Sequence, residues 1–201
     1  AAQVRELDRR AIEVAGIPGY TLMSRAGEAA FYLACRHWPW ASRWVVVCGT
    51  GNNGGDGYVL ARLAQAHGLV VEVVQLGNPE RIHGDTAKAR VAYLDQGGKV
   101  SSDLAALRAA ELVVDGVFGT GLERPVEGRW AAALQAMRAC GAPILALDIP
   151  SGLHGDTGAV LGDALRATAC VTFIGIKQGL LTGTGPAHVG DLFFADLALV
   201  S

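Results

Sequence analysis

The chain has almost no excess of charge: 17 lysines and arginines stand against 19 aspartates and glutamates, for a formal net charge of −2. The basic residues are scattered, which removes the electrostatic footprint expected of a nucleic-acid binder. No apolar run approaches the roughly 20 residues needed to cross a bilayer. The first residues (Arg5, Glu6, Asp8, Arg9, Arg10) are too charged for the apolar core of a signal peptide. Neither nucleic acid nor a membrane is therefore an expected partner, and the expected location is the cytoplasm. The chain begins at Ala1 and not at a methionine, which fits a trimmed or excised piece. Its four cysteines, Cys35, Cys48, Cys140 and Cys170, lie far apart in apolar surroundings with no metal-ligand spacing. They read as small buried hydrophobes in a reducing compartment. Internal repeats and low-complexity linkers are missing too. With 201 residues, 51% of them hydrophobic, the chain can bury one α/β core and is short for two, so residues 1–201 read as a single domain.

Glycine is plentiful, 27 residues, and it concentrates where apolar runs end. The most informative stretch is 44–57, WVVVCGTGNNGGDG. A β-branched run stops at a turn rich in glycines and amides, and a helical pattern (Tyr58, Leu60, Ala61, Leu63, Ala64) follows. That is a strand, a ligand loop and a helix. Glycines let backbone N–H groups approach a ligand, and the helix start adds unpaired donors suited to phosphate. Gly49, Gly51 and Gly54 satisfy the dinucleotide pattern G-x-G-x-x-G, which on its own points to a nicotinamide or flavin oxidoreductase. That fold also wants an acidic residue at the end of the next strand, to bond the ribose hydroxyls. In the run 70–76 the only carboxylate, Glu72, is in mid-strand and Gln75 holds the end. The dehydrogenase reading loses ground accordingly.

Two helical patterns, 4–15 and 24–37, precede the sheet and are separated by the breaker Gly16-Ile17-Pro18-Gly19. From Trp44 onward strand-like and helical runs alternate: strand 70–76, helices 85–95 and 103–110, strand 112–117, helix 130–140, strand 144–147. A strand over 167–173 and an edge-like run over 191–199 close the chain. This alternation predicts an α/β fold with three layers, a Rossmann-like, mostly parallel sheet with helices on both faces. The unbroken apolar strands agree with helical cover on both sides.

Ligands of open parallel sheets sit outside the carboxyl ends of the strands. Three predicted strands end in polar motifs: 49–57, 115–125 (DGVFGTGLERP) and 148–152 (DIPSG). A single Asp at such a place is ordinarily a cap or turn former. Asp115 and Asp148, on a rim that already carries Asn52, Asn53 and Asp56, point instead to one site. These three motifs together resemble the YjeF N-terminal domain family, whose enzymatic members are NAD(P)HX epimerases. Supporting matches run from Leu22-Met23-Ser24-Arg25-Ala26-Gly27 to Lys177-Gln178-Gly179-Leu180-Leu181, so the resemblance covers nearly the whole chain. Ser24 departs from it, since many relatives are acidic there; a helix cap is its simplest role. His154 departs too and is given no role.

The resemblance implies that the substrates are NADHX and NADPHX, hydrated forms of the reduced nicotinamide cofactors, whose R and S epimers are interconverted. It implies substrate contacts at Asn52, Asn53, Gly54, Gly55 and Asp56, at Gly119, Thr120, Gly121, Leu122, Glu123, Arg124 and Pro125, and at Asp148. Asn53, Asp115 and Ser151 would ligate a monovalent cation, potassium (K+) in the family. Amide, carboxylate and hydroxyl oxygens suit a hard cation, although the sequence does not separate potassium from sodium or magnesium. For Ser151, a turn hydroxyl after Pro150 is the alternative. The mechanistic hypothesis is acid-assisted loss of the added hydroxyl, helped by the ring nitrogen, and its return to the other face. Asp148 is the candidate for moving the proton. Lys177 is the weaker one, since a lysine there also suits the surface or a substrate phosphate.

A non-catalytic nucleotide-binding or protein-interaction module of the same fold is the competing reading, because some relatives serve that way. Retention of Asn53, Asp56, Asp115, Asp148 and Ser151 favours an enzyme. Some relatives are fused to an ADP- or ATP-dependent dehydratase, so a stand-alone epimerase and half of a larger protein both fit. The apolar N-terminal region (Leu22, Met23, Phe31, Tyr32, Leu33, Trp38, Trp40) exceeds what a flank needs, and homodimerisation through it is a hypothesis.

Overall fold

The structure, a computed structural model, describes residues 17–198; the helix expected over 4–15 lies outside them, as does residue 199 of the last run. Seven strands, β1 (Arg43–Cys48), β2 (Val70–Gln75), β3 (Lys99–Ser101), β4 (Leu112–Gly116), β5 (Ile144–Leu147), β6 (Ala169–Phe173) and β7 (Asp191–Ala195), form one sheet in the order β3-β2-β1-β4-β5-β6-β7. All six pairings are parallel, where a mostly parallel sheet was expected. The run at 191–199 does begin as an edge strand. The helices are α1 (Gly19–His37), α2 (Asn52–Ala66), α3 (Gly84–Asp95), α4 (Gly128–Ala139) and the short α5 (Gln178–Leu181).

Strand alternation sorts the core into layers. Trp44, Val46, Cys48, Val71 and Val73 face α1, α2 and α3, while Val45, Val47, Val74 and Val113 face α4. The α1 face is set by spacing: Leu22, Met23, Ala26, Gly27, Ala30, Phe31 and Ala34 recur every three or four residues and are buried. Burying a side chain such as Phe31 is worth about 1.5–3 kcal/mol, enough to hold α1 on the sheet. That packing consumes most of the apolar surplus assigned to a dimer. Leu22, Met23, Phe31 and Trp38 are buried, leaving Tyr32 and Trp40 exposed.

The structure corrects several boundaries. The first described helix starts at Gly19, with Pro18 as its N-cap, rather than at Ser24; Ser24 Oγ instead donates back to Tyr20 O (2.7 Å) inside the helix and caps nothing. Residues 104–109 form a 3₁₀ helix, not an α-helix. Three-residue β3 and four-residue α5 went unread, being too short for a period to show. Most consequential, α2 begins at Asn52, so Gly54, Gly55 and Gly57 are helical and the free turn is only 49–51. Cys48 and Cys170 are buried and Cys35 and Cys140 half-buried, all as free thiols.

From β1 the chain adds β2 and β3 on one side, then crosses to place β4 on the other. The crevice at this switch, above the carboxyl ends of β1 and β4, is where such sheets hold ligands.

Candidate functional site

A cleft of about 960 Å³ opens there. Its floor is the start of α2: Thr50, Gly51, Asn52, Asn53 and Asp56 line it. Gly51 caps α2 in extended conformation, with no side-chain hydrogen bond to the helix. The bond that closes the first turn of the helix runs from Gly55 N–H to Gly51 O (3.2 Å). The amides of Asn52, Asn53 and Gly54 are therefore left to a ligand, an arrangement favourable to phosphate. The turn is held from beneath. Gly49 N–H donates to Gly116 O (3.0 Å), and buried Gln75 donates to Cys48 O, Gly49 O and Leu76 O while accepting from Tyr58 Oη (2.6 Å). Gln75 thus spends its amide hydrogens on the loop from a buried position, in keeping with the discounted dehydrogenase reading.

Beside this floor, β4 ends in a buried polar centre. Asp115 is fully buried and accepts from Ser151 Oγ (2.6 Å), Ser151 N–H (2.8 Å) and Val117 N–H (3.2 Å). Ser151, also fully buried, accepts from Phe118 N–H (2.9 Å). Burial pushes the Asp115 carboxyl up to about 6, with the bonds from Ser151 and Val117 opposing the rise. Asn53 is buried too, and neither its Oδ1 nor its Nδ2 has a partner among the described residues. Asp115 is thus a buried carboxylate bonded only to neutral donors among the described residues, and Asn53 a buried amide without a partner there, both costly to leave uncompensated. Among the described residues no group of three or more His, Cys, Asp or Glu side chains could hold a metal ion.

At the next strand end the chemistry changes. Asp148 follows β5 with φ +66°, and Ile149 N–H bonds Leu147 O (2.8 Å), a strained γ-turn. Ile174, just after β6, repeats it: φ +66° and Gly175 N–H to Phe173 O (2.6 Å). Lys177, almost completely buried, donates to Asp148 Oδ1 and to Phe173 O (2.8 Å). Both members of this ion pair line the cleft. The sequence had left Lys177 open to a surface role; the structure places it in the site.

Of the residues named from sequence, Asn52, Asn53, Asp56, Asp148 and Gly119 through Arg124 line the cleft, whereas Pro125 is exposed beside it. Asp115 and Ser151 sit beneath the wall. Gly54 and Gly55 are buried in α2. A Cβ on Gly55 would meet Met23 Cε (2.5 Å), Met23 Sδ (2.6 Å) and Thr86 Oγ1 (3.0 Å), so this glycine lets α1, α2 and α3 pack closely. A Cβ on Gly119 would instead lie 3.4 Å from Asn53 Cβ and 3.7 Å from Asp148 Oδ2, in the gap between those two side chains. The sequence reading missed the opposite wall: Leu22, Met23 and Ala26 of α1, the Phe118–Trp130 ring pair (centroids 5.0 Å apart), Arg81 and Arg129. The breaker before Gly19 marked α1 as a helix, but nothing local says that it folds back over the sheet's ligand edge.

The fold and cleft define a doubly wound α/β protein with an open cleft at its switch point. Residues 19–179 match the family described as YjeF-related protein N-terminus, and the chain belongs to that family. An NAD(P)H-hydrate epimerase of Limosilactobacillus fermentum is 41% identical over 198 residues, 98% of this chain and 94% of that protein. The bifunctional NAD(P)H-hydrate repair enzyme Nnr of Escherichia coli is 41% identical over 202 residues, spanning all of this chain but 39% of that protein. The crystal structure of yeast ynu0, YNL200c, shares the fold, with a TM-score of 0.83 at 22% identity over 96% of this chain and 85% of that one. Among the described residues no helix is long and apolar enough to cross a membrane.

Proposed function

We propose that this protein is an isomerase that interconverts the R and S epimers of hydrated NADH and NADPH. The observation that carries the reading is that the uncapped α2 start and the Asp148–Lys177 pair open onto one cleft. The first suits a pyrophosphate and the second a reacting ring. The cleft volume is at the upper end of the roughly 300–1,000 Å³ usual for small-molecule sites. Relatives of about the same length are themselves named NAD(P)H-hydrate epimerase. Asn52, Asn53 and the amides of the α2 start hold the phosphates, Phe118 and Trp130 offer aromatic surface, and Asp148 with Lys177 meets the carbon that bears the added hydroxyl. Loss of that hydroxyl leaves a planar ring cation, and its return to the other face gives the second epimer. Such a step requires a group that gives a proton and takes it back, and the ion pair is that unit.

A monovalent cation, potassium, fits Asn53, Asp115 and Ser151. The support is the orphaned Asn53 amide and the fully buried Asp115. Bound there, it would neutralise the carboxylate and fix the ends of β1, β4 and β5 in register. The test of the whole reading is direct. Chemically prepared NADHX enriched in one epimer is expected to equilibrate faster with the protein than without it; tight binding of NADHX with no acceleration would establish a binding module instead.

A further inference from the structure

We infer that Lys177, rather than Asp148, delivers the proton to the departing hydroxyl, and that Asp148 works throughout as its carboxylate partner; this rests on the epimerase reading above. An ammonium has three donors. Lys177 spends one on Asp148 Oδ1 and one on Phe173 O, and the third has no partner among the described residues. The side chain lines the cleft although the residue is only 1% exposed, so that third proton is held out of bulk water and next to the ligand space. A carboxylate in an ion pair, by contrast, has no proton to give.

The two γ-turns are what aim these groups. Positive φ is unfavourable at non-glycine residues, and here it falls at Asp148 and Ile174, the first residues after the adjacent strands β5 and β6. The kink at Ile174 leaves Phe173 O accepting from both Gly175 N–H and Lys177 Nζ. The kink at Asp148 sets one carboxylate oxygen on Lys177 and the other near Gly119, 3.7 Å from where a Cβ there would stand. The lysine is thereby clamped from two strand ends with its last donor directed elsewhere.

In the step itself the C–O bond of the hydroxyl breaks with its electron pair on oxygen. An Nζ proton joins that oxygen to release water, and the ring nitrogen's lone pair closes to an iminium. Lys177 is left as the neutral amine, and the negative charge of Asp148 faces the new ring cation. Once the planar ring turns its other face to Lys177, water adds there, its oxygen bonding the ring carbon as the iminium electrons return to nitrogen, and gives a proton back to Nζ. No oxidant, reductant or co-reactant is consumed.

Three variants test this in the intact chain. Lys177→Ala is expected to lower kcat about 10²–10⁴-fold with a much smaller change in KM for NADHX, and millimolar ethylamine is expected to restore part of the rate in proportion to its concentration. Lys177→Arg keeps the charge and the ion pair but is too weak an acid to donate, so it is expected to fold, to bind NADHX and to stay slow. Asp148→Asn is expected to be slow and insensitive to ethylamine. A Lys177→Arg enzyme with the wild-type kcat, or a Lys177→Ala enzyme that keeps its rate, overturns the assignment while leaving the epimerase reading intact. A folded but slow Lys177→Ala that ethylamine does not rescue reduces Lys177 to a positioning residue and likewise overturns it. If wild type itself does not accelerate epimerisation, the reading beneath the inference fails and the inference falls with it.

Discussion

Asp115 and Asp148 stand at the ends of neighbouring parallel strands, in segments of similar sequence (Asp-Gly-Val-Phe-Gly and Asp-Ile-Pro-Ser-Gly), yet their surroundings are opposite. Asp115 is sealed from solvent and surrounded by neutral donors, all drawn from Val117 and Ser151. Asp148 keeps 16% of its side chain accessible, faces the cleft and is paired with a buried ammonium. A desolvated carboxylate without a countercharge is a place to put a cation. One with a fixed ammonium partner and a path to ligand is suited to holding that ammonium where it can pass a proton. The same residue type at the same kind of strand end thus divides into a structural role and a chemical one, and the division follows from what each neighbour contributes.

The comparison breaks most visibly at Asp148. Asp148→Asn is expected to lower the rate of NADHX epimerisation about 10²–10⁴-fold with the fold retained, read by turnover alongside circular dichroism. Wild-type turnover in the variant would falsify any role for this carboxylate in the chemistry.

The next largest effect belongs to Asp115 and is read in stability. Its carboxyl is pushed up to about 6 in the folded chain from an ordinary 3.8. The folded state therefore binds a proton more readily than the unfolded one. The contribution favours folding most below about pH 4, declines as pH rises through about 6, and is on the order of 3 kcal/mol in all. Melting temperatures between pH 4 and 7 in a tetramethylammonium buffer are expected to carry this downward slope, and Asp115→Asn is expected to remove it. Potassium is expected to flatten the slope from the high-pH side, because an ion held by the folded state alone stabilises it, by about 2.7 kcal/mol at a hundred times its Kd. Identical slopes for wild type and Asp115→Asn would sink the assignment.

The positions of both aspartates were legible beforehand for local reasons, while the roles assigned to them came with the family resemblance. The apolar runs 44–48, 112–116 and 144–147 are short, and each meets Gly or Asp at its end (Gly49, Asp115, Asp148), so strand and rim follow from pattern. What stayed hidden depends on distance along the chain. Lys177 reaches Asp148 only because β6 lies beside β5 and Ile174 kinks, and neither fact has a local signature. The start of α2 at Asn52 was misplaced because glycines argue against helix. Here Gly55 and Gly57 are the residues that let the helix lie close: a Cβ on Gly57 would meet Cys48 Sγ at 2.8 Å. Packing overrode propensity at the place where the site needed a helix end.

The last two effects sharpen the comparison from the ground between the two carboxylates. Gly119→Ala puts a methyl into the gap flanked by Asn53 and Asp148, at ordinary contact distances of 3.4 and 3.7 Å. The fold is expected to tolerate it. If ligand shares that gap, overpacking of about 1–3 kcal/mol is expected to appear as a rise of roughly 5- to 150-fold in Kd for the dinucleotide. Gly55→Ala is the counterpart with the smallest consequence. Its methyl meets the flexible end of Met23, which can move aside, and alanine regains about 1 kcal/mol of helix propensity over glycine. The net loss of stability is expected to be about 1 kcal/mol or less. Affinity is expected to hold, since the Gly55 amide is already bonded to Gly51 O. Melting and dinucleotide titration of both variants decide the matter. If Gly55→Ala loses affinity as Gly119→Ala does, with its melting temperature unmoved, the ligand reaches deeper along α2 than the cleft wall, and Gly55 returns to the binding loop where the sequence had put it.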